Sequence, residues 1–131
     1  MTKTTIKKYY LFFILGGTGY SLIEILWRGY THYSMVLAGG LCFIFFSIIS
    51  TNLKSKPLFL KAIICSLIIT IIELFFGIIF NLIFKMNVWN YANLPFNILG
   101  QICPLYTLIW FVLSFIFLPL AHIINSYLYA N

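Results

Sequence analysis

Two glutamates, Glu24 and Glu73, are the only acidic residues in this sequence, and Glu73 lies in the middle of a long apolar stretch. Residues 63–84 read IICSLIITIIELFFGIIFNLIF, and about 20 apolar residues suffice to cross a bilayer core of about 30 Å. A carboxyl group near the middle of a bilayer is energetically costly, and such groups mark proton or ion pathways. We therefore expect Glu73 to form a site that binds a proton or a cation.

Small and polar residues recur on the helix face that carries Glu73. At 3.6 residues per turn, this face consists of Ser66, Thr70, Glu73, Gly77 and Asn81. The other faces are Ile, Leu and Phe, so we expect them to contact lipid while the polar stripe contacts protein or water. The alternative role for Glu73 is structural, as a protonated carboxyl hydrogen-bonded to Asn81, Gln101 or a tyrosine hydroxyl.

Glu24 lies near the end of an earlier apolar stretch, four residues before Arg28. A glutamate that precedes a basic residue by four positions is the favourable order for an ion pair on one helix face. Two roles follow for this pair. It stabilises and anchors the helix end at the membrane interface, or it faces a ligand.

A third polar group, with a backbone break at Pro104, lies on one side of the predicted fourth helix, at Asn97, Gln101, Pro104 and Thr107. Broken backbone at membrane depth is tolerated where it lines a cavity, so this group predicts a pocket, with ordinary hydrogen bonding between helices as the alternative. Aromatic residues that favour the interface flank the spans. The predicted ligand-binding residues are Glu73, Glu24, Arg28, Asn81, Asn97, Gln101, Trp27, Trp89 and Tyr91.

The composition indicates a membrane protein. Of 131 residues, 63% are apolar and 8% charged, which is not the balance of a soluble domain. We predict an all-α fold, a four-helix transmembrane bundle that forms a single domain over residues 1–131. The predicted spans are residues 9–27, 34–50, 61–84 and 97–118. We expect Pro104 to kink the fourth helix unless this helix begins later, and Pro119 to kink or end it.

The net charge of +6 would suggest nucleic acid as a partner of a soluble protein, but here the basic residues flank apolar spans and orient them. On one side of the predicted bundle lie Lys3, Lys7, Lys8, Lys54, Lys56 and Lys61, against Arg28 and Lys85 on the other. This bias predicts a multi-pass protein of the bacterial cell membrane with both termini in the cytoplasm. Membrane lipids are its expected surroundings, and nucleic acid is not an expected partner.

The two predicted hairpins resemble each other. Helix one places Gly17, Ser21, Glu24 and Arg28 at the offsets where helix three places Ser66, Thr70, Glu73 and Gly77. Each return helix carries a glycine followed three residues later by a cysteine. These matches suggest two parallel-repeat hairpins related by an axis along the membrane normal, which would bring both glutamates to one cavity.

Catalytic and metal motifs are missing from the sequence. Cys42, Cys65 and Cys103 have no CxxC spacing and all lie within predicted spans, so we interpret them as small buried residues. The residues at positions 16–19, Gly-Gly-Thr-Gly, lack the Lys-Ser/Thr of a phosphate-binding loop. We predict a protein that is not an enzyme and that uses no cofactor and no metal.

Several strings resemble one known family. They are Glu24-x-x-Trp-Arg-Gly, Gly39-Gly-Leu-Cys-Phe, and Trp89-x-Tyr with Pro95-Phe-Asn-x-x-Gly-Gln-Ile-Cys. The chain thereby resembles, over about residues 15–118, the small bacterial membrane proteins classed as putative ABC-transporter permeases, type IV. Members usually have Trp-Asp-Tyr where this chain has Asn90 between the two aromatic residues, so a carboxylate of that loop is missing here. The resemblance implies a transporter subunit, and the chain carries no ATP-binding motif of its own.

These observations predict an integral membrane subunit of a transport system that binds or passes a small solute through a polar cavity around Glu73 and Glu24. Such a small bundle is expected to act as a homo-oligomer or with a separate transporter or ATPase subunit. One alternative is a proton-coupled exporter like the small multidrug-resistance proteins. Another is a membrane regulator, assembly partner or holin-like protein that transports nothing.

Overall fold

The computed structural model describes residues 2–130, which form an all-α bundle. The helices are α1 (Lys3–Arg28), α2 (Tyr33–Asn52), α3 (Leu58–Phe76) and α4 (Pro104–Ala130), and a π-helical segment, Gly77–Ile83, continues α3. Within the described residues, four helical stretches are long and apolar enough to cross a membrane, with α3 and the π-helical segment counted as one. The predicted fold class is confirmed. We call the end with residues 29–32 and 84–103 the loop end, and the end with residues 53–57 the terminal end.

Local chemistry explains where α1 and α2 begin and end. The Thr2 hydroxyl accepts a hydrogen bond from the Thr5 backbone N–H and caps α1, while His32 caps α2 by accepting from the Ser34 N–H. Gly29 ends α1 with φ of 85°, a left-handed conformation that glycine adopts without a steric penalty. The turn between the two helices is therefore short and sharply defined.

Glycines bring α1 and α2 into backbone contact. A Cβ placed on Gly16 would lie 2.6 Å from the carbonyl oxygen of Gly39, and one placed on Gly40 would lie 2.8 Å from the carbonyl oxygen of Phe13. Neither distance leaves room for a side chain. The backbone of each helix therefore lies against a glycine of the other helix. These glycines thus allow close contact between α1 and α2.

The hydrophobic core lies in the half of the bundle toward the terminal end. Its buried members come from all four helices and are Phe12, Phe43, Phe46, Ala62, Cys65, Leu118 and Ala121. Below this core the buried Asn125 amide joins α4 to α2: its Nδ2 donates to the hydroxyls of Ser50 and Thr51, and its Oδ1 accepts from Ser47. Apolar side chains such as Leu26, Ile71 and Ile116 cover the outside, as expected of a surface that faces lipid.

The predicted bounds of the fourth span, residues 97–118, are wrong. The helix begins at Pro104 and continues through Pro119 to Ala130. Leu99 and Gly100 have φ of 56° and 70°, which a right-handed helix cannot contain, and proline is well suited to the first helical turn because it needs no N–H partner there. Pro119 neither ends the helix nor closes the span, and helices within membranes tolerate interior proline.

The segment 84–103 folds back into the bundle instead of lying above it. Gln101 packs directly on Gly77, since a Cβ on Gly77 would lie 2.6 Å from the Gln101 Oε1 atom. Phe84 and Met86 donate backbone hydrogen bonds to Ile79 and Phe80, which continues the widened π-type turn into this segment. Non-helical backbone thus reaches the depth of helix α3, where it is covered by protein as such backbone must be in a membrane.

Candidate functional site

A cavity of about 880 Å³ extends through the bundle from the loop end toward the terminal end. All four helices line it, together with residues 87–94 of the folded-back segment. Its volume lies in the range of pockets that enclose small organic ligands, about 300–1,000 Å³. The lining includes six of the nine predicted ligand-binding residues, Glu73, Glu24, Arg28, Trp27, Trp89 and Tyr91.

Glu73 faces the interior of the bundle and is held by two neutral donors. The Tyr91 hydroxyl donates to its Oε2 atom at 2.8 Å, and the Trp110 indole N–H donates to its Oε1 atom at 3.3 Å. One of the hydrogen-bond partners considered from the sequence, a tyrosine hydroxyl, is therefore present, whereas Asn81 and Gln101 bind elsewhere. Burial and the neighbouring Glu73 carboxylate raise the pKa of Tyr91 well above its ordinary value, so its hydroxyl remains a donor.

Glu24 and Arg28 form the ion pair that their spacing predicted. The Arg28 Nη2 atom lies 2.7 Å from Glu24 Oε1, which also accepts from the Thr31 hydroxyl at 2.9 Å. Arg28 Nη1 donates to the backbone carbonyl of Val88 at 2.8 Å, and its guanidinium stacks on the Tyr30 ring. Arg28 therefore connects the end of α1 to the folded-back segment, and both Arg28 and Val88 line the cavity. Its Nε–H is buried and has no hydrogen-bond partner among the described residues.

A group of aromatic rings surrounds Glu73. The rings of Tyr91 and Tyr106 stack with centroids 4.4 Å apart and an interplanar angle of 8°. The ring centroid of Trp110 lies 6.2 Å from that of Tyr106 and 6.1 Å from that of Tyr20. We call Tyr20, Tyr91, Tyr106 and Trp110 the aromatic cluster. All four line the cavity.

Three members of this cluster, Tyr20, Tyr106 and Trp110, were not among the predicted ligand-binding residues. One available signal was the depth of Trp110, which lies within a span rather than at its end and whose indole N–H needs a buried acceptor. Another was the spacing of Tyr106 and Trp110, which places both on one face of α4. With two glutamates in the sequence, Glu73 was an obvious acceptor.

Three predicted ligand-binding residues lie outside the cavity lining and organise the folded-back segment. Asn81 accepts from the Val88 backbone N–H and donates to the side chain of Gln101, whose own backbone carbonyl accepts from the Trp89 indole. Asn97 donates to the carbonyls of residues 92 and 94 and accepts from the N–H of residue 100. These amides satisfy backbone groups that would otherwise be unpaired in an apolar region.

The polar stripe on α3 faces protein, as predicted. Thr70 and Thr107 share a 2.8 Å hydrogen bond between α3 and α4, and Ser66 is buried with its hydroxyl on the carbonyl of Ile63. Thr107 was expected either to line a pocket or to form a hydrogen bond between helices, and it forms the hydrogen bond, to Thr70. It also borders a separate shallow apolar groove of about 520 Å³ on the outer face.

The cavity is polar at one end and apolar at the other. Toward the loop end its wall carries the two carboxyl groups, Arg28 and three asparagine amides, at Asn87, Asn90 and Asn93. Toward the terminal end the wall consists of apolar side chains, Phe46, Leu113, Phe117, Leu120 and Ile124. Such a cavity can hold a molecule that has a polar group and an apolar body, and its carboxyl groups can accept protons or hydrogen bonds.

Comparison with known proteins gives one match. A family model described as Putative ABC-transporter type IV matches residues 10–131. No curated protein and no solved structure matches the chain. The family match covers almost the whole chain, including both glutamates, the aromatic cluster and the folded-back segment.

Proposed function

We propose that this chain, which belongs to the putative ABC-transporter type IV family, is the membrane subunit of a transport system that binds a small solute in the cavity around Glu73 and Glu24. Its four apolar helices fit a multi-pass membrane protein. We place it in the bacterial cell membrane with both termini in the cytoplasm, as the distribution of Lys and Arg indicates. The chain itself catalyses no reaction under this proposal.

The observation that carries the proposal is the position of the two carboxyl groups. Glu24 on α1 and Glu73 on α3 are 49 positions apart in the sequence, yet both line one cavity between the helices. Ionisable groups inside a bundle are costly, and where they converge on a cavity they mark a substrate or ion pathway. Purely structural hydrogen bonding would not require about 880 Å³ of open space beside them.

A partner chain must supply the energy for transport under this proposal. The sequence contains no Walker motif, so ATP binding and hydrolysis fall to a separate subunit. The family description points to association with other transporter subunits. We further propose that the subunit acts as a homo-oligomer or pairs with a second membrane chain, because four helices enclose a small volume.

The test is purification of the tagged protein from native membranes in a mild detergent, followed by mass spectrometry and an ATPase assay. We expect a protein with a Walker motif to co-purify. An ATPase would bind at the cytoplasmic, terminal end of the bundle, and Glu73 lies far from that end, so we expect the Glu73→Gln variant to co-purify with the same partner. A homogeneous lone chain with no associated ATPase would overturn the proposal.

One observation favours a second candidate function, a proton-coupled exporter. Glu73 has only neutral hydrogen-bond donors as partners among the described residues, and a carboxyl group without a fixed cation is free to exchange a proton for a cationic substrate. In reconstituted vesicles this exporter would work without ATP, driven by a pH gradient. Glu73→Gln would then abolish the flux, whereas an ATP-dependent flux would favour the first proposal.

A further inference from the structure

The charges that line the cavity do not balance. Among the described lining residues there are two carboxyl groups and one basic side chain, Arg28. Arg28 is bonded to Glu24, which leaves Glu73 with the neutral donors Tyr91 and Trp110. No Lys or Arg of the described part of the chain forms an ion pair with Glu73. When Glu73 is ionised, the cavity therefore carries one negative charge that no protein cation compensates.

The side chains beside this charge are those that recognise organic cations. A ring face attracts an ammonium group through its quadrupole, and several rings together favour cations that have shed their water. Tyr91 and Trp110 donate hydrogen bonds to Glu73. The Tyr106 ring stacks on Tyr91 with its centroid 6.2 Å from that of Trp110, and the Tyr20 ring centroid lies 6.1 Å from that of Trp110. Aromatic faces and a carboxylate thus converge on the same part of the wall.

A metal ion fits this wall poorly. The described residues contain no group of three His, Cys, Asp or Glu side chains that could hold one. A small hydrated cation would also leave the apolar half of the cavity, lined by Phe117, Leu120 and Ile124, without a matching ligand surface. An organic cation satisfies both halves, since its charged group binds among polar and aromatic side chains while its body contacts hydrocarbon.

We propose that the cavity binds a monovalent organic cation, an ammonium or related onium group on an apolar body, with the charge beside Glu73 within the aromatic cluster and the body toward Phe117 and Leu120. This proposal rests on the solute-binding site proposed above and assigns its ligand class. The same onium chemistry occurs in soluble compounds and in the amine headgroup of a lipid, and the experiment separates these sources.

The experiment measures binding of tetraphenylphosphonium to the full chain in nanodiscs of phosphatidylglycerol, with empty nanodiscs subtracted. Tetraphenylborate, an anion of nearly the same size and shape, is the matched control ligand. We expect saturable binding of the cation and none of the anion. Glu73→Gln should weaken binding at least about tenfold, and Tyr106→Leu should weaken it about five- to tenfold, since it removes a ring that binds nothing else in the cluster by hydrogen bonding.

Two further variants separate loss of the charge from loss of the fold. Glu73→Asp keeps the charge and should bind more tightly than Glu73→Gln, although both disturb the bonds to Tyr91 and Trp110. Ser126→Ala changes an exposed residue on α4 and should bind as the unchanged protein does. Equal affinity of the unchanged protein and Glu73→Gln, or equal saturable binding of the cation and the anion, would overturn the proposal.

The source of the cation is tested by replacing half of the phosphatidylglycerol with phosphatidylethanolamine. A weaker apparent affinity for tetraphenylphosphonium then indicates that the lipid amine competes for the site, and an unchanged affinity indicates a soluble cation. Co-purification of an ATPase tests the transport proposal independently. If the ATPase is present and the cation does not bind, the ligand class is wrong and the transport function stands.

Discussion

The Tyr91 hydroxyl donates a 2.8 Å hydrogen bond to the carboxyl group of Glu73, joining the folded-back segment to the last turn of α3. This bond sets the depth to which the segment enters the bundle, because Tyr91 reaches a residue ten positions before the end of the π-helical segment. It also orients the carboxyl group toward the cavity. One contact therefore links the segment that covers the cavity to the carboxyl group of Glu73.

Removal of the Tyr91 hydroxyl should loosen this cover. We expect Tyr91→Phe to destabilise the folded-back segment by about 1.5–3 kcal/mol, the usual contribution of a hydrogen bond to a charged group. Hydrogen exchange of residues 84–103 in nanodiscs should become faster. Tyr106→Phe is the matched control, since the described residues offer its hydroxyl no hydrogen-bond partner while its ring still stacks on Tyr91. Equal exchange in both variants would contradict the assigned role.

The ion pair of Glu24 and Arg28 should behave as a buried pair, so that loss of one partner lowers the free energy of unfolding more than loss of both. Glu24 is 7% exposed and Arg28 is 22% exposed, so Arg28→Met should destabilise the protein by about 2–3 kcal/mol, allowing for partial solvation. The double variant Glu24→Gln with Arg28→Met should recover part of this loss. Unfolding in mixed detergent titrations gives the coupling free energy, and strict additivity would show that the two side chains act independently.

The close approach of α1 and α2 should make Gly16 intolerant of any side chain. We expect Gly16→Ala to cost about 1–3 kcal/mol because the methyl group would meet the carbonyl oxygen of Gly39. Gly19→Ala on the same helix meets nothing within 4 Å and should be neutral or stabilising by up to about 1 kcal/mol through helix propensity. The same unfolding titration checks both variants. A Gly16→Ala protein as stable as Gly19→Ala would mean that the helices separate without penalty.

The buried amide of Asn125 should be important for the attachment of α4 to α2. Asn125→Leu removes its hydrogen bonds to Ser47, Ser50 and Thr51 and leaves those hydroxyl groups with fewer partners, so we expect a loss of about 2–3 kcal/mol. Ser126→Ala, the next residue and an exposed one, should change stability by less than about 0.5 kcal/mol. Thermal unfolding midpoints measure the difference, and similar midpoints for the two variants would refute it.

Local sequence patterns predicted much of this structure. The length and apolarity of the spans identified four membrane helices, and the 3.6-residue periodicity around Glu73 identified the face of α3 that contacts protein. The four-residue spacing of Glu24 and Arg28 predicted their ion pair correctly. Each of these features depends on residues within a few turns of one helix, where the geometry of the helix fixes which side chains meet.

The same approach failed where the backbone leaves the helix. Residues 97–103 are apolar enough to extend a span, but left-handed residues and side-chain bonds from Asn97 and Gln101 fold them into turns, and α4 begins at Pro104. Hydropathy does not register such turns because it counts the polarity of side chains and not the path of the backbone. Two of the amides predicted to bind a ligand, Asn97 and Gln101, stabilise this path of the backbone.

The sequence alone determined that the chain has four helices able to cross a membrane, and that a carboxyl group among them needs polar partners. Only the tertiary structure decided which residues are the partners of Glu73. Tyr91 and Trp110 are 18 and 37 positions from Glu73, and they meet it because a folded-back segment and the packing of α4 bring them there. Contacts of this range depend on how whole elements pack against one another, which no spacing within a single helix can specify.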